Sequence, residues 1–143
     1  HAMVVFDRAG GWIDSIERIE LEAEVEQRLR RNGWQDRSAA VVIDPELKNW
    51  VWSDSPQLDQ AVGWSEQKRP LRQWLQDRGF FMEGQSKPSR PKEALEAVLY
   101  HCRRPRSSAI YRDLAERVSF RRCEDKAFNK LRGVLQSWFR ICS

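Results

Sequence analysis

AAVVIDPELKNW, residues 39–50, is the stretch on which the fold turns. Ala39 to Ile43 are apolar without alternation, which marks a strand covered on both faces. The run stops at Asp44. Pro45 and Glu46 follow, and Trp50 and Trp52 come close behind. Asp44-Pro45-Glu46 fits a helix start, with Asp44 as N-cap, Pro45 at the first position and an acid in the first turn. Leu47 and Val51, four apart, then face a core, and Glu46 and Trp50 share another face.

Upstream, MVVFD at residues 3–7 is a second short apolar run, again ending in an acid, Asp7. Between the two runs lies an acidic helix over about residues 15–32, with Leu21, Val25 and Leu29 on one face and Asn32-Gly33 as its stop. Ile16 and Ile19 fall on the other side, so the helix starts later than Ser15 or is covered on both faces. Strand, helix and strand in this span make a βαβ unit with parallel strands. Both strands end in Asp, and adjacent parallel ends lie about 5 Å apart. Asp7, Asp44 and Glu46 can therefore converge as hard oxygen ligands for Mg²⁺ or Mn²⁺, with Asp44 and Glu46 as the catalytic pair of a phosphodiester-cleaving site.

Downstream the punctuation is helical. Pro45, Pro56, Pro70 and Pro91 suit first helical positions, and Gly63 and Gly79 suit helix ends. Leu71/Trp74/Leu75, Leu95/Val98/Leu99/Cys102, Ile110/Leu114/Val118 and Phe128/Leu131/Leu135/Trp138 are apolar stripes expected in a core. Residues 83–92 read as a loop. Residues 80–82, FFM, offer a short third strand. Without one the sheet has an open edge, which invites a partner chain, a second copy included. The fold class is thus α/β: a small parallel sheet at residues 4–54, then a largely helical part at 55–143, in a single domain. His1 to Met3 read as a tag remnant and a start Met.

Composition narrows the function classes. The chain has 143 residues, with 41% hydrophobic content and seven Trp, as a folded domain requires. No apolar run is long enough to cross a membrane. Cys102, Cys123 and Cys142 lack metal-site spacing and read as reduced thiols, hence a cytoplasmic protein. His101 is the sole histidine beyond position 1, which leaves zinc sites and Ser-His-Asp triads without support. Charge is asymmetric. Residues 1–66 carry 7 Lys/Arg and 13 Asp/Glu, whereas residues 67–143 carry 18 and 8. The basic half offers Arg103, Arg104, Arg106, Arg121 and Arg122 for phosphate contacts, with Ser107 and Ser108 at a helix start.

The pattern VVFDRAGG, an acidic helix, and I-D-P-E-L-x-x-W resembles Toprim-like proteins encoded beside ATPases in bacterial anti-phage loci. Glu46 and Trp50 match an E-x-x-x-W-like helix, and RVSFRRCEDKAF, with Cys123 and Phe128, resembles the basic C-terminal helix pair. More specifically, the chain resembles a small component of methylation-associated phage-defence systems. That resemblance implies a subunit of a defence complex, with an ATPase of the same locus as partner and DNA or RNA as ligand. Asp7 matches the first Asp of a D-x-D motif, Ala9 stands at the second, and the strand that carries the family's catalytic Glu is missing before Met3. An N-terminally truncated chain or a degenerate acidic site is therefore expected. Three functions stay open: a subunit with a degenerate metal site, an active Mg²⁺-dependent nuclease, and a basic nucleic-acid-binding module.

Overall fold

A computed structural model describes residues 1–8, 15–53, 55, 57–82, 84–121 and 123–139. The chain divides into two compact units, residues 1–47 with 124–143, and residues 48–123. The class is α/β, with a two-stranded parallel sheet and six α-helices among the described residues. None of the described helices is long and apolar enough to cross a membrane.

The first unit is built around β1 (Ala2–Asp7) and β2 (Ser38–Ile43), paired in parallel with Val5 opposite Val41 and Asp7 opposite Ile43. All five residues from Ala39 to Ile43 are buried. Burial of successive residues means both faces of β2 are covered, as its unbroken apolar run requires. Helices α1 (Arg18–Arg31) and α6 (Lys126–Trp138) both pack on β2. Of the two options for the acidic helix, the later start holds: α1 begins at Arg18, and Ile19 stays exposed. Gly33, at φ 87°, ends it with two bonds, Gly33 N–H to Arg30 O and Trp34 N–H to Leu29 O, both 3.1 Å.

The outer edge of β2 is closed by side chains. Its outward N–H groups at Val42 and Ala40 donate to Glu22 Oε1 at 3.0 Å and Glu26 Oε1 at 3.1 Å on α1. Lys130 Nζ on α6 joins the two carboxylates at 3.0 and 2.9 Å, and Arg18 Nη1 reaches Glu22 at 2.5 Å. An edge that would otherwise template another strand is thus satisfied within the chain. Burial pushes the Glu26 carboxyl up, but Lys130, the Ala40 N–H and Arg30 outweigh it and hold it below the ordinary glutamate range. A carboxylate depressed on folding stabilises fully above its unfolded pKa and loses that contribution as pH falls through the folded value. The stability gap between the native chain and Glu26→Gln should therefore narrow on acidification through the carboxylate range. Urea titrations across pH read it, and a gap constant with pH would count against this edge closure.

The opposite edge differs. Arg8 N–H continues the ladder to Ile43 O at 2.8 Å, so alternate β1 residues face β2 and the N–H groups of Met3 and Val5 point away. Neither has a partner among the described residues, and Val5 is 45% exposed. The third strand expected at residues 80–82 does not form. Phe80 and Phe81 lie in the second unit instead, partly buried against its core, because two adjacent rings gain more from that cluster than from a three-residue strand.

The second unit is helical: α2 (Leu58–Val62), α3 (Leu71–Gln76), α4 (Pro91–His101) and α5 (Ser108–Arg117). Its core joins Trp52, Leu58, Val62, Trp64, Trp74 and the expected stripes of α3, α4 and α5, with Cys102 partly buried beside them. The buried indoles keep their polar ends paired, Trp52 Nε1–H to Pro91 O at 3.1 Å and Trp64 Nε1–H to Arg69 O at 2.7 Å. Pro91 takes the first position of α4 as expected, whereas Pro70 stands one residue before α3, as its cap. The loop after Phe80 is tied back by Ser89 N–H to Phe80 O at 2.8 Å.

The α6 stripe departs from expectation. Ala127 is buried, but Leu135 is 40% exposed. A two-stranded sheet presents too little surface to cover a full helix face.

Candidate functional site

The acidic end of the sheet is where Asp7, Asp44 and Glu46 are expected to converge. Parallel pairing does bring the ends of β1 and β2 side by side. Each Asp then meets a protein group. Asp7 Oδ1 accepts the Leu47 N–H at 2.8 Å, and Asp44 Oδ2 pairs with Arg8 Nη1 at 2.8 Å. The capping role expected of Asp44 thus falls to Asp7, across the strand pair. The segment it caps is a 3-10 turn, Leu47–Trp50, and not an α-helix opened by Pro45. A short turn frees Asp44 to meet Arg8, and the Asp44–Pro45 peptide is cis.

Glu46 is half-buried and hydrogen-bonded or paired; Trp50 ends the turn, its carbonyl accepting Ser53 Oγ–H at 2.9 Å. A hollow of about 160 Å³ beside Asp44 is lined by Asp125, Arg18, Lys126 and Ala127. Its two carboxylates face two cations. Among the described residues no three His, Cys, Asp or Glu side chains group as metal ligands. The donor set, with a guanidinium on Asp44, does not fit the divalent ion that the acidic cluster implies. Ala9 and Arg122 lie outside the described residues.

The second unit holds a different constellation. A cavity of about 820 Å³ is lined by Trp74, Arg78, Tyr100, His101, Arg103 and Arg104, with Ala97 and Pro105. That volume is in the range of small-ligand sites. Among the described residues no carboxylate is in the lining. The C-terminus of α4 builds one wall. Arg103 N–H bonds Tyr100 O at 3.1 Å and Arg104 N–H bonds Leu99 O at 2.8 Å, the two-bond stop that ends α1 at a glycine. Here the left-handed position is Arg103, at φ 52°. A non-glycine residue there costs free energy, as it also does at Gln35, at φ 44°. Arg104 lies across Gly63. A Cβ on Gly63 would sit 3.0 Å from Arg104 Nε, so this glycine serves both its left-handed φ of 82° and the guanidinium's approach.

Of the lining rings, Trp74 and His101 are backed by Trp64. Trp64 and Trp74 meet edge-on at 4.9 Å between centroids, His101 packs on both at 5.1 and 4.9 Å, and Arg78 stacks on Trp74 at 3.7 Å. Tyr100 stands apart at 87% exposure, and its side chain has no partner among the described residues.

Charge pairing separates the arginines. Arg106 bonds Glu96 at 2.6 Å and Arg117 bonds Asp113 at 2.5 Å. Arg78, Arg103 and Arg104 form no ion pair among the described residues. Arg103 and Arg104 were expected as phosphate contacts; Arg106 and Arg121 are outside the cavity lining. Trp74, Arg78, Tyr100 and His101 were missed. Trp74 and Arg78, four apart, and an aromatic pair lying off the α4 apolar stripe were the available signals. Burial pushes the Cys102 thiol up, and the nearby charge of Arg104 opposes that shift.

The left-handed Arg103 gives a direct expectation. Arg103→Gly relieves the conformational cost and loses part of the gain to unfolded-chain entropy. It should be at least as stable as the native chain and about 0.5–1 kcal/mol more stable than Arg103→Ala in urea unfolding. A glycine variant clearly less stable than the native chain would show that the Arg103 side chain holds the fold, and one less stable than the alanine variant would contradict the left-handed backbone.

No protein-family model, no curated protein and no solved structure matches this chain.

Proposed function

We propose that this chain is a nucleic-acid-binding subunit whose contact surface is the cavity at the end of α4. The observation that carries the reading is that Arg78, Arg103 and Arg104 line one concave surface and, among the described residues, form no ion pair and share the lining with no carboxylate. Guanidinium groups match phosphate oxygens in shape and charge, and unpaired ones retain that capacity. The second unit as a whole carries 15 Lys/Arg against 9 Asp/Glu, a net of +6. That field attracts polyanions before contact. The resemblance to Toprim-like proteins enters this reading in its non-catalytic form, with Asp7 and Asp44 holding the sheet end together.

The test is the salt dependence of oligonucleotide binding, followed by fluorescence anisotropy in EDTA. Each phosphate contact to a single strand contributes about 0.7 to the slope of log K against log salt. Replacing Arg78, Arg103 and Arg104 together by Gln should lower the slope by about 2. Salt-insensitive binding, or a slope the triple variant leaves unchanged, would sink the reading.

A further inference from the structure

The cavity carries more than cations. A double helix presents phosphates on a convex surface with its bases stacked inside, and simple basic patches suffice to hold it. Here the three guanidiniums surround a concavity whose walls are aromatic. Trp74 is engaged by Arg78, Trp64 and His101, and serves as a fixed floor. Tyr100 is the unengaged ring. It lines the cavity, is 87% exposed, and touches no other ring among the described residues. It lies next in sequence to His101 and three residues from Arg103. The Tyr100 ring lines the same cavity as the arginines, buries little, and its side chain bonds nothing among the described residues. It is well placed to stack on a planar ligand that brings its own negative charge.

We infer that the cavity receives an unpaired nucleotide of a single-stranded nucleic acid, with its base against Tyr100 and His101 and its flanking phosphates on Arg78, Arg103 and Arg104. This rests on the nucleic-acid reading and deepens it from polyanion to single strand. Stacking on an aromatic ring requires a base outside a helix, so a duplex would engage the arginines alone.

The experiment compares labelled oligo-dT, oligo-rU and a dT·dA duplex of the same length, against the native chain, Tyr100→Ala and Tyr100→Phe. Both single strands should bind more tightly than the duplex. Tyr100→Ala should weaken single-strand binding by roughly 5-fold or more, the range of one lost stacking contact. It should leave duplex binding unchanged, and Tyr100→Phe should keep single-strand affinity. Because Tyr100 is exposed, its variants should melt with the native chain, which separates loss of binding from loss of fold. Equal binding of single strand and duplex, with Tyr100→Ala silent, would overturn the unpaired-base inference and leave the nucleic-acid reading standing. No binding of any oligonucleotide would overturn both. Displacement of oligo-dT by an equal concentration of free thymidine monophosphate would show a mononucleotide site instead.

Discussion

Glu22→Ala is expected to lower the unfolding free energy by about 3–5 kcal/mol, because it breaks a buried charge cluster from one side. Glu22 is 4% exposed. Its two oxygens serve three donors: Arg18 at 2.5 Å, the Val42 N–H at 3.0 Å and Lys130 at 3.0 Å. Alanine leaves the Val42 N–H unpaired on a strand edge and removes one of the two carboxylates that hold Lys130. Glu22→Gln keeps an acceptor for Val42 and loses only the charge, so it should cost clearly less. Lys130→Met offers a second measure, since it leaves two acids on α1 without their shared cation. Urea unfolding of the three variants gives the ranking. Equal, small losses for Ala and Gln would mean that the β2 edge does not depend on this carboxylate.

Trp52→Ala should cost about 3–5 kcal/mol, as truncation of a buried indole does. Trp52 is 3% exposed and belongs to the core that unites α2, α3, α4 and α5. It acts in two ways. Its ring fills the core, and its Nε1–H reaches Pro91 O at 3.1 Å, at the first residue of α4. Trp52→Phe keeps most of the ring and removes the donor, so it should cost less, about 1–2 kcal/mol. The consequence reaches the cavity, because α4 carries Tyr100 and His101 at its other end. Oligonucleotide affinity of Trp52→Ala should fall with the fraction folded, and recover at lower temperature if that fraction recovers. Thermal melts followed by circular dichroism, paired with anisotropy on the same samples, report both.

How much of this was legible in the sequence depends on the range of the interaction. Unbroken apolar runs placed both strands within a residue, since burial on both faces leaves no other pattern. Gly33, Gly63 and Gly79 marked three chain reversals, all at positive φ, because few other residues adopt that backbone cheaply. The stripes of α3, α4 and α5 were readable from spacing alone.

Long-range pairings were not readable. Glu22 and Glu26 belong to a helix read only as acidic, and nothing local says that strand N–H groups bond them. Asp7 and Asp44 were read together as strand-end acids, but their engagement with Leu47 and Arg8 depends on three-dimensional register. Arg103 was visible as a basic residue; its left-handed backbone and its place beside Arg78 in one cavity lining were not, since the two follow different helices, α3 and α4.

The most direct test of where the chain binds nucleic acid is a two-dimensional amide NMR titration with oligo-dT, in EDTA and again with Mg²⁺. Shifts are expected at the amides of Arg78 and of Tyr100 to Arg104, the same with and without the metal, and none centred on Asp7, Asp44 or Glu46. Shifts that need Mg²⁺ and cluster at those three acids, with the α4 terminus silent, would contradict this assignment.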